Sequence, residues 1–390
     1  MTPEEKWNQL VRAFETSHNG NCDIPKLLTT EYGQKMKEAA MLRFAFEEAP
    51  CGPDCIEYYR ALGIRKDLFD NGNFYERYSV FSPQRAESGR KYPLVFWNHG
   101  GGNPIETDEF SIHIAQMAQL EQIIVCMLQT TNANCIDMAI DRLSELYPID
   151  LERIYVMGYS QGGQAAHAAL VRIPERLAGV CAAGCDAFPL WDNLDIRFTV
   201  EELDHLRDVF VPVLQAAGQF EFLNLLPHNH WENIYLWKNG VGVNPWINPR
   251  FDLANDPTNP PGKRADKPKP PTHTDPDRWK LWKLNLRLWT QGCVAVNPNC
   301  CLSYADEAPD SLHHILGFYG DREETRELLG VKHFISDTYR PDGMLGYRYI
   351  GVENSPHWPP LLLGELAWEF FRNFRRDSVT GRIVQDTYFA

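Results

Sequence analysis

The sequence has little positive charge for its size. Its 390 residues include 38 lysines and arginines against 52 aspartates and glutamates, which gives a formal net charge of −14. A protein that binds nucleic acid over a broad surface needs cationic side chains to neutralise phosphates. We therefore expect no nucleic-acid partner.

Long apolar runs are also missing. No segment reaches the ~18 consecutive apolar residues that would span a bilayer, so we expect no membrane span. The N-terminal stretch MTPEEKWNQLVRAFE is charged and amphipathic. It lacks the basic flank, the apolar stretch and the small-residue cleavage site of an export signal, and a cytoplasmic location is therefore expected.

The ten cysteines do not include two pairs at the spacing of a zinc site. Cys126 and Cys181 lie within apolar runs, where a free thiol behaves as a small hydrophobic group. We therefore expect a reduced protein without a bound metal. Disulfide formation or metal binding stays open as the alternative for two close pairs, Cys51 with Cys55 and Cys300 with Cys301.

The sequence does contain a regular alternation of strand-like and helix-like segments. After a helical stretch, short apolar runs such as YPLVFW, IIVCML and RIYVMGYS alternate with amphipathic stretches at helical spacing. This alternation is typical of a mostly parallel sheet with helices on both faces. The predicted fold class is therefore α/β.

The alternation stops after residue 222. The following segment is rich in Trp, Pro and Asn, and residues 256–277 hold seven prolines, which no regular helix or strand tolerates. We interpret this segment as a large inserted cap that contains a Pro-rich strap. The predicted organisation is an N-terminal helical extension (1–72), a first core part (73–222), the cap (223–333) and a C-terminal core part (334–390).

The run RIYVMGYSQGGQAAHAAL, residues 153–170, changes from strand formers to helix formers around Ser160. A nucleophilic serine at the end of a strand lies in a sharp turn that brings the residues two before and two after it close together. Gly158 and Gly162 occupy those positions, and the N–H of Gln161 can face an oxyanion. Ser160 is the predicted nucleophile, and a turn that merely requires glycine is the alternative.

A second oxyanion donor is expected from another loop. The segment WNHGGGNP, residues 97–104, is a Gly-rich turn directly after the strand-like run YPLVFW. Its N–H groups can approach a substrate closely because glycine has no side chain. Gly101 is the first candidate and Gly100 the second. His99 precedes the serine in the chain, and we expect it to shape this loop.

The base is expected to follow the serine in the chain. His357 lies in GVENSPHWPP, a polar turn between the last predicted strand and the final predicted helix. It is the predicted base, with a structural histidine packed by Trp358 as the alternative. Six other histidines fall in the insertion or its exit and are not expected to act: His228, His230, His273, His313, His314 and His333.

An acid must orient the histidine and stabilise its imidazolium. The strand-like run VPVLQAAG ends in Gly-Gln-Phe-Glu, which places Glu221 at its carboxyl end as the predicted acid. Asp186, which follows the preceding strand-like run, is its competitor. Tyr159 and Trp358, the sequence neighbours of the serine and the histidine, are predicted substrate contacts.

These motifs together resemble the α/β-hydrolase esterases of the polyhydroxybutyrate depolymerase and feruloyl esterase type. The resemblance is carried by YPLVFWNHGGG, DLERIYVMGYSQGGQAA, PVLQAAGQFE, a Trp-x-Asn-Gly segment at 237–240 and GVENSPHWPPLLLGELAWEFFRNF. The chain departs from the family pattern in four respects. It has Glu221 where an aspartate is usual, a histidine motif shortened by one residue, a long insertion that begins near Trp246, and no export signal.

The resemblance implies an α/β-hydrolase fold and the hydrolysis of carboxylic esters through an acyl-serine, without a cofactor. The expected substrates are small-molecule or oligomeric esters of the aryl or feruloyl, hydroxyalkanoate or acylated-sugar type. Two alternatives stay open. One is a serine peptidase that uses the same residues, and the other is a non-catalytic binding protein on a hydrolase scaffold. The oligomeric state is left open.

Overall fold

A computed structural model of the chain describes residues 1–16, 22–85, 87, 89–101, 103–130, 132–184, 205, 208–220, 321–340 and 342–389. Its helices are α1 (Pro3–Thr16), α2 (Ile24–Leu28), α3 (Glu31–Phe46), α4 (Pro53–Ala61), α5 (Glu106–Glu109), α6 (Ile114–Leu120), α7 (Ala133–Leu146), α8 (Gln161–Arg172) and α9 (Leu363–Phe371). Among these described residues, none of the helices is long and apolar enough to cross a bilayer.

The strands are β1 (Ile64–Phe69), β2 (Tyr78–Pro83), β3 (Tyr92–Asn98), β4 (Ile124–Leu128), β5 (Ile149–Tyr159), β6 (Gly179–Ala183), β7 (Val213–Phe220), β8 (Arg322–Leu328), β9 (Val331–Tyr339), β10 (Leu345–Pro356), β11 (Phe374–Arg376) and β12 (Ile383–Gln385). The apolar pattern predicts seven strands, and all seven runs contain strands in the structure: RYSVFSP, YPLVFW, IIVCML, RIYVMGYS, LAGVCAAG, VPVLQAAG and LGYRYIGV. Their identification depended on continuous apolar stretches, which are typical of strands that are buried on both faces.

Ten strands form one sheet in the order β1-β2-β4-β3-β5-β6-β7-β10-β9-β8. The six central strands, β4, β3, β5, β6, β7 and β10, are parallel to one another. Antiparallel strands close both edges, with β2 and β1 on one side and β9 and β8 on the other. The predicted α/β class is confirmed. All carboxyl ends of the parallel strands meet at one edge of the sheet, where loops can place functional groups together.

Helices bury both faces of the sheet. One core contains apolar side chains of α7 and α8 packed on one face of β3, β4, β5 and β6. The second core contains side chains of the N-terminal helices, α6 and α9 on the opposite face. The N-terminal helices therefore share a core with the sheet. They contribute fully buried side chains to it, among them Tyr32 and Tyr59.

The helices of the N-terminal segment end at Ala61, and the chain then enters the sheet. The expectation of a helical stretch to residue 72 is wrong for Ile64–Phe69, which form β1 and pair antiparallel with β2. Three of the six residues in this strand are charged, so the strand gives no apolar signal. Lys66 is nonetheless buried in it and pairs with the buried Glu109 at 2.6 Å.

The second difference lies at the exit of the expected cap. Residues 322–328 and 331–339 form β8 and β9, which extend the sheet beyond β10. The boundary drawn at residue 333 therefore falls inside a strand of the core. The Pro-rich strap and the rest of the expected cap lie outside the described residues.

The described thiols form no disulfide. Cys51 and Cys55 are free, and so are the buried Cys126 and Cys181. Burial raises the pKa of Cys55 to about 11, which keeps this thiol protonated at neutral pH. Cys300 and Cys301 lie outside the described residues.

A buried histidine in α8 makes the fold sensitive to acid. His167 is 2% exposed, and burial lowers the pKa of its imidazole from 6.5 to about 3. The unfolded chain therefore binds a proton at His167 that the folded chain does not bind. The resulting stability is present above pH 6.5 and is lost as the pH falls from 6.5 towards 3.

We expect His167→Leu to weaken the pH dependence of stability. Between pH 7.5 and pH 5, protonation of His167 in the unfolded chain should cost the wild-type protein about 2 kcal/mol. Urea denaturation at both pH values measures this difference in the free energy of unfolding. The variant should lose about 2 kcal/mol less than the wild type over the same interval. Equal losses in the two proteins would contradict the assignment.

Candidate active site

Ser160 lies in the sharp turn between β5 and α8. Its backbone has φ 55° and ψ −119°, a region that costs a non-glycine residue about 1–3 kcal/mol. The Ser160 N–H donates a hydrogen bond to the Ala183 carbonyl of β6 at 2.8 Å, which holds the turn against the neighbouring strand. The half-buried serine thus stands at the carboxyl end of a central parallel strand.

The glycines on each side of Ser160 face backbone atoms. A Cβ on Gly158 would lie 2.3 Å from the Gly162 carbonyl oxygen, and a Cβ on Gly162 would lie 1.9 Å from the Asn98 carbonyl oxygen. Both distances are too short for any side chain. The close approach predicted from the sequence is therefore present, and it also involves the end of β3, to which Asn98 belongs.

His357 meets the serine although the two are 197 residues apart in the chain. Its Nε2 lies 3.1 Å from Ser160 Oγ, within hydrogen-bond distance. His357 directly follows β10, which is parallel to β7, and only β6 and β7 separate it from β5. The parallel arrangement brings the ends of these strands to the same edge. The half-buried imidazole can therefore accept the serine proton.

The two predicted aromatic substrate contacts, Tyr159 and Trp358, have different partners in the structure. The ring of Tyr159 packs on the imidazole of His357, with centroids 4.9 Å apart and planes 39° apart. Tyr159 is only 3% exposed and belongs to the hydrophobic core. Trp358 is half-buried and packs edge-on against Phe14 of α1 at 5.5 Å. A role of either ring in substrate binding stays a prediction.

The Gly-rich loop lies against the nucleophile turn. A Cβ on Gly100 would lie 3.6 Å from Ser160 Cβ, and a Cβ on Gly101 would lie 2.9 Å from the side-chain oxygen of Gln161. The backbone of this loop therefore borders both the serine and the residue that follows it. The structure brings the three expected parts together: serine, histidine and glycine loop.

His99 holds the Gly-rich loop in place. It is 5% exposed, and its Nδ1 lies 2.6 Å from the Gly100 carbonyl oxygen. Its Nε2 lies 2.8 Å from the Gln129 carbonyl oxygen in the loop after β4. Gln129 in turn donates to the Asn103 carbonyl at 3.0 Å. These contacts connect two loops at the site, as expected for a histidine that shapes the loop.

Asp108 supports the same loop and was missed in the sequence. This carboxylate in α5 is 1% exposed and accepts a hydrogen bond from Trp97 Nε1 at 3.2 Å. Burial raises the pKa of Asp108, while His99 and the donated Gly100 N–H lower it. The sequence carried no signal, because ETDE is typical of an exposed first helical turn.

The two candidate acids, Glu221 and Asp186, lie outside the described residues. For Glu221, the residue that precedes it in the chain is described and pairs with the residue that precedes His357. Phe220, the last residue of β7, is the ladder partner of Pro356, and the next residues in the chain are Glu221 and His357 respectively. Glu221 and His357 therefore each come directly after one residue of the Phe220–Pro356 pair, on two adjacent parallel strands.

Five of the six other histidines of the expected insertion or its exit also lie outside the described residues. The sixth, His333, is a fully buried residue of β9. Its Nδ1 lies 3.0 Å from the Val331 carbonyl oxygen, and burial lowers the pKa of its imidazole. It therefore belongs to the packed interior of the sheet.

No protein-family model matches this chain, and no curated protein matches it. Several solved structures are similar in part. A thermostable esterase has 20% identity and a TM-score of 0.31 over 40% of this chain and 47% of its own. A mutant feruloyl esterase module from Clostridium thermocellum, complexed with sinapinate, has 18% identity and a TM-score of 0.30 over 40% and 66%.

The fluorophosphonate-binding serine hydrolase F of Staphylococcus aureus has 16% identity and a TM-score of 0.36, over 46% of this chain and 87% of its own. This chain spans about half the length of the thermostable esterase and about two thirds of the feruloyl esterase module. At such identities and TM-scores, the likeness does not decide the chemistry. The chemistry is therefore inferred from the geometry of Ser160 and His357 within this chain.

Proposed function

We propose that the protein is a serine hydrolase that cleaves carboxylic esters through an acyl-serine intermediate. The observation that carries this proposal is the 3.1 Å contact between His357 Nε2 and Ser160 Oγ. It occurs at the end of a central strand, on a strained turn, and beside a glycine loop. A general base within hydrogen-bond distance is what converts a serine hydroxyl into a nucleophile.

In the proposed acylation step, Ser160 Oγ attacks the ester carbonyl carbon while His357 Nε2 accepts the serine proton. The carbonyl oxygen becomes an oxyanion, which the N–H groups of Gln161 and Gly101 stabilise. Gly101, which borders Gln161, is the first candidate for the second donor, and Gly100 is the second. The tetrahedral intermediate collapses when His357 gives the proton to the departing alcohol.

In the deacylation step, His357 accepts a proton from water, and the resulting hydroxide attacks the acyl-serine carbonyl. A second tetrahedral intermediate collapses, the carboxylic acid leaves, and Ser160 regains its proton from His357. Glu221 is the proposed acid that orients the imidazole, supported by the pairing of Phe220 with Pro356. Asp186 is the competing assignment. The reaction needs no cofactor.

The proposed substrates are aryl or feruloyl, hydroxyalkanoate or acylated-sugar esters. A direct test combines a fluorophosphonate probe with a panel of such esters and one matched amide. We expect the probe to form a covalent adduct on the peptide that contains Ser160, detected by mass spectrometry, and the protein to hydrolyse at least one ester. Heat-unfolded protein should not be labelled.

Two outcomes would overturn parts of this proposal. Amide hydrolysis at a rate equal to or above that of the matched ester would favour a peptidase with the same residues. Neither labelling nor turnover by the folded protein would favour a binding protein on a hydrolase scaffold.

A further inference from the structure

The loop that carries His357 is held by the N-terminal helices. We call residues 354–361, which comprise the last three residues of β10 and most of the segment that leads to α9, the histidine loop. Five residues of the N-terminal segment contact it, and we call them the N-terminal support: Phe14, Cys22, Asp23, Tyr32 and Arg43. In the histidine loop, the contacts are made by Asn354, Trp358 and Leu361.

The contact before His357 is centred on Asn354. Its Oδ1 accepts the Asp23 N–H at 2.9 Å, and its Nδ2 donates to the Asp23 carbonyl at 2.8 Å. The Asn354 carbonyl also accepts a hydrogen bond from Cys22 Sγ at 3.1 Å. Asn354 has φ 49°, a left-handed conformation that asparagine tolerates better than most residues. Its side chain therefore fixes both the bend of the loop and its distance from the N-terminal segment.

The contact next to His357 is aromatic. Trp358 packs edge-on on Phe14 of α1 at 5.5 Å, and the guanidinium of Arg43 in α3 lies 5.9 Å from the Trp358 ring centroid. Both helices thus reach the residue that directly follows the base. An edge-to-face aromatic pair contributes about 0.5–1.5 kcal/mol beyond the apolar area that it buries.

The contact after His357 is a buried hydrogen bond. The Leu361 N–H donates to the Tyr32 hydroxyl at 2.8 Å, and Tyr32 is 2% exposed. The Tyr32 N–H donates to the Leu329 carbonyl at 2.9 Å, which anchors the start of α3 at the turn between β8 and β9. The tyrosine therefore links the end of the histidine loop to the edge of the sheet.

We propose that the N-terminal support positions His357 for catalysis, with Asn354 as the main positioning residue through its paired hydrogen bonds to Asp23. This inference rests on the proposed function. Proton transfer from Ser160 requires the imidazole within about 3 Å of the hydroxyl, and a displacement of about 1 Å can lower a rate by about 10²-fold. Helices far from the nucleophile in sequence thereby set the geometry of the base.

Asn354→Gly tests this role with little backbone strain, because glycine accepts the same positive φ while the side-chain hydrogen bonds are removed. We expect kcat to fall about 10-fold to 100-fold and KM to stay within about twofold. Tyr32→Phe, which removes the acceptor for the Leu361 N–H, should lower kcat in the same direction. The matched control is Gln122→Gly. Gln122 also has a positive φ (51°) and bonds locally to Gln119, and its kcat should change less than about twofold.

A double-mutant cycle separates positioning from general loss of structure. If Asn354 acts through the imidazole, adding Asn354→Gly to His357→Ala should change the residual rate by less than about twofold. Wild-type kcat in Asn354→Gly, or an equal loss in the His357→Ala background, would overturn the positioning role alone. A wild-type turnover that His357→Ala does not alter would overturn the proposed function and the positioning role with it.

Discussion

Ser160→Ala is expected to lower kcat for a short-acyl chromogenic ester by on the order of 10⁴-fold or more, because it removes the hydroxyl that forms the proposed acyl intermediate. The hydroxyl is the group that His357 Nε2 contacts at 3.1 Å. Alanine removes it with little loss of volume, so the free energy of unfolding should change by less than about 1 kcal/mol. Steady-state kinetics and urea denaturation measure the two quantities.

His357→Ala should have an effect of similar size, because a serine without its base is a poor nucleophile. Substitutions of residues that act as one unit do not have additive effects on kcat. The double variant with Ser160→Ala and His357→Ala should therefore be no slower than the slower single variant. Ser144→Ala is the matched control, since Ser144 is an exposed serine of α7 that bonds locally to the Asp141 carbonyl. Turnover that persists in Ser160→Ala at the wild-type rate would exclude Ser160 as the nucleophile.

Gly162→Ala is expected to destabilise the protein by about 4 kcal/mol or more, or to prevent accumulation of folded protein. The added Cβ would lie 1.9 Å from the Asn98 carbonyl oxygen and 2.6 Å from the His99 carbonyl oxygen. Both are backbone atoms, and neither can rotate away. To relieve this clash, α8 would have to move away from β3, and Ser160 would move with the helix.

Gly100→Ala is the matched control for this prediction. Its Cβ would meet Asn103 Nδ2 at 3.4 Å and Ser160 Cβ at 3.6 Å, which are ordinary contacts. The free energy of unfolding should then change by less than about 1 kcal/mol, as measured by urea denaturation at neutral pH. Wild-type stability in Gly162→Ala would show that the turn is not packed as described.

The sequence was sufficient to predict the central sheet and the Ser160–His357 pair. The central strands are apolar on both faces, so each appears as a continuous apolar run. The turn around Ser160 has no space for a side chain at positions 158 and 162. Both positions are glycine, and this requirement makes the turn recognisable as a short motif. His357 could be selected because it follows the last such strand, where a parallel sheet places its ends at one edge.

The edges of the sheet could not be predicted in the same way. The strand β8, REETREL, has no fully buried residue, and it is held by backbone pairing with β9. Burial of Asp108 and the role of Asn354 are also invisible in the sequence. The partner of Asn354 is 331 residues away, and the local sequence ENSP is typical of any polar turn. Long-range contacts of polar side chains leave no periodic pattern.

The antiparallel pair β9 and β8 has a consequence for the strand that delivers the imidazole. Without this pair, β10 would be the last strand of the sheet, and fraying would begin there. With it, β10 has ladder partners on both sides, β7 and β9. Local opening from this edge would start at β8, two strands away. Fraying at this edge would therefore break the pairing of β8 before that of β10, the strand that directly precedes His357.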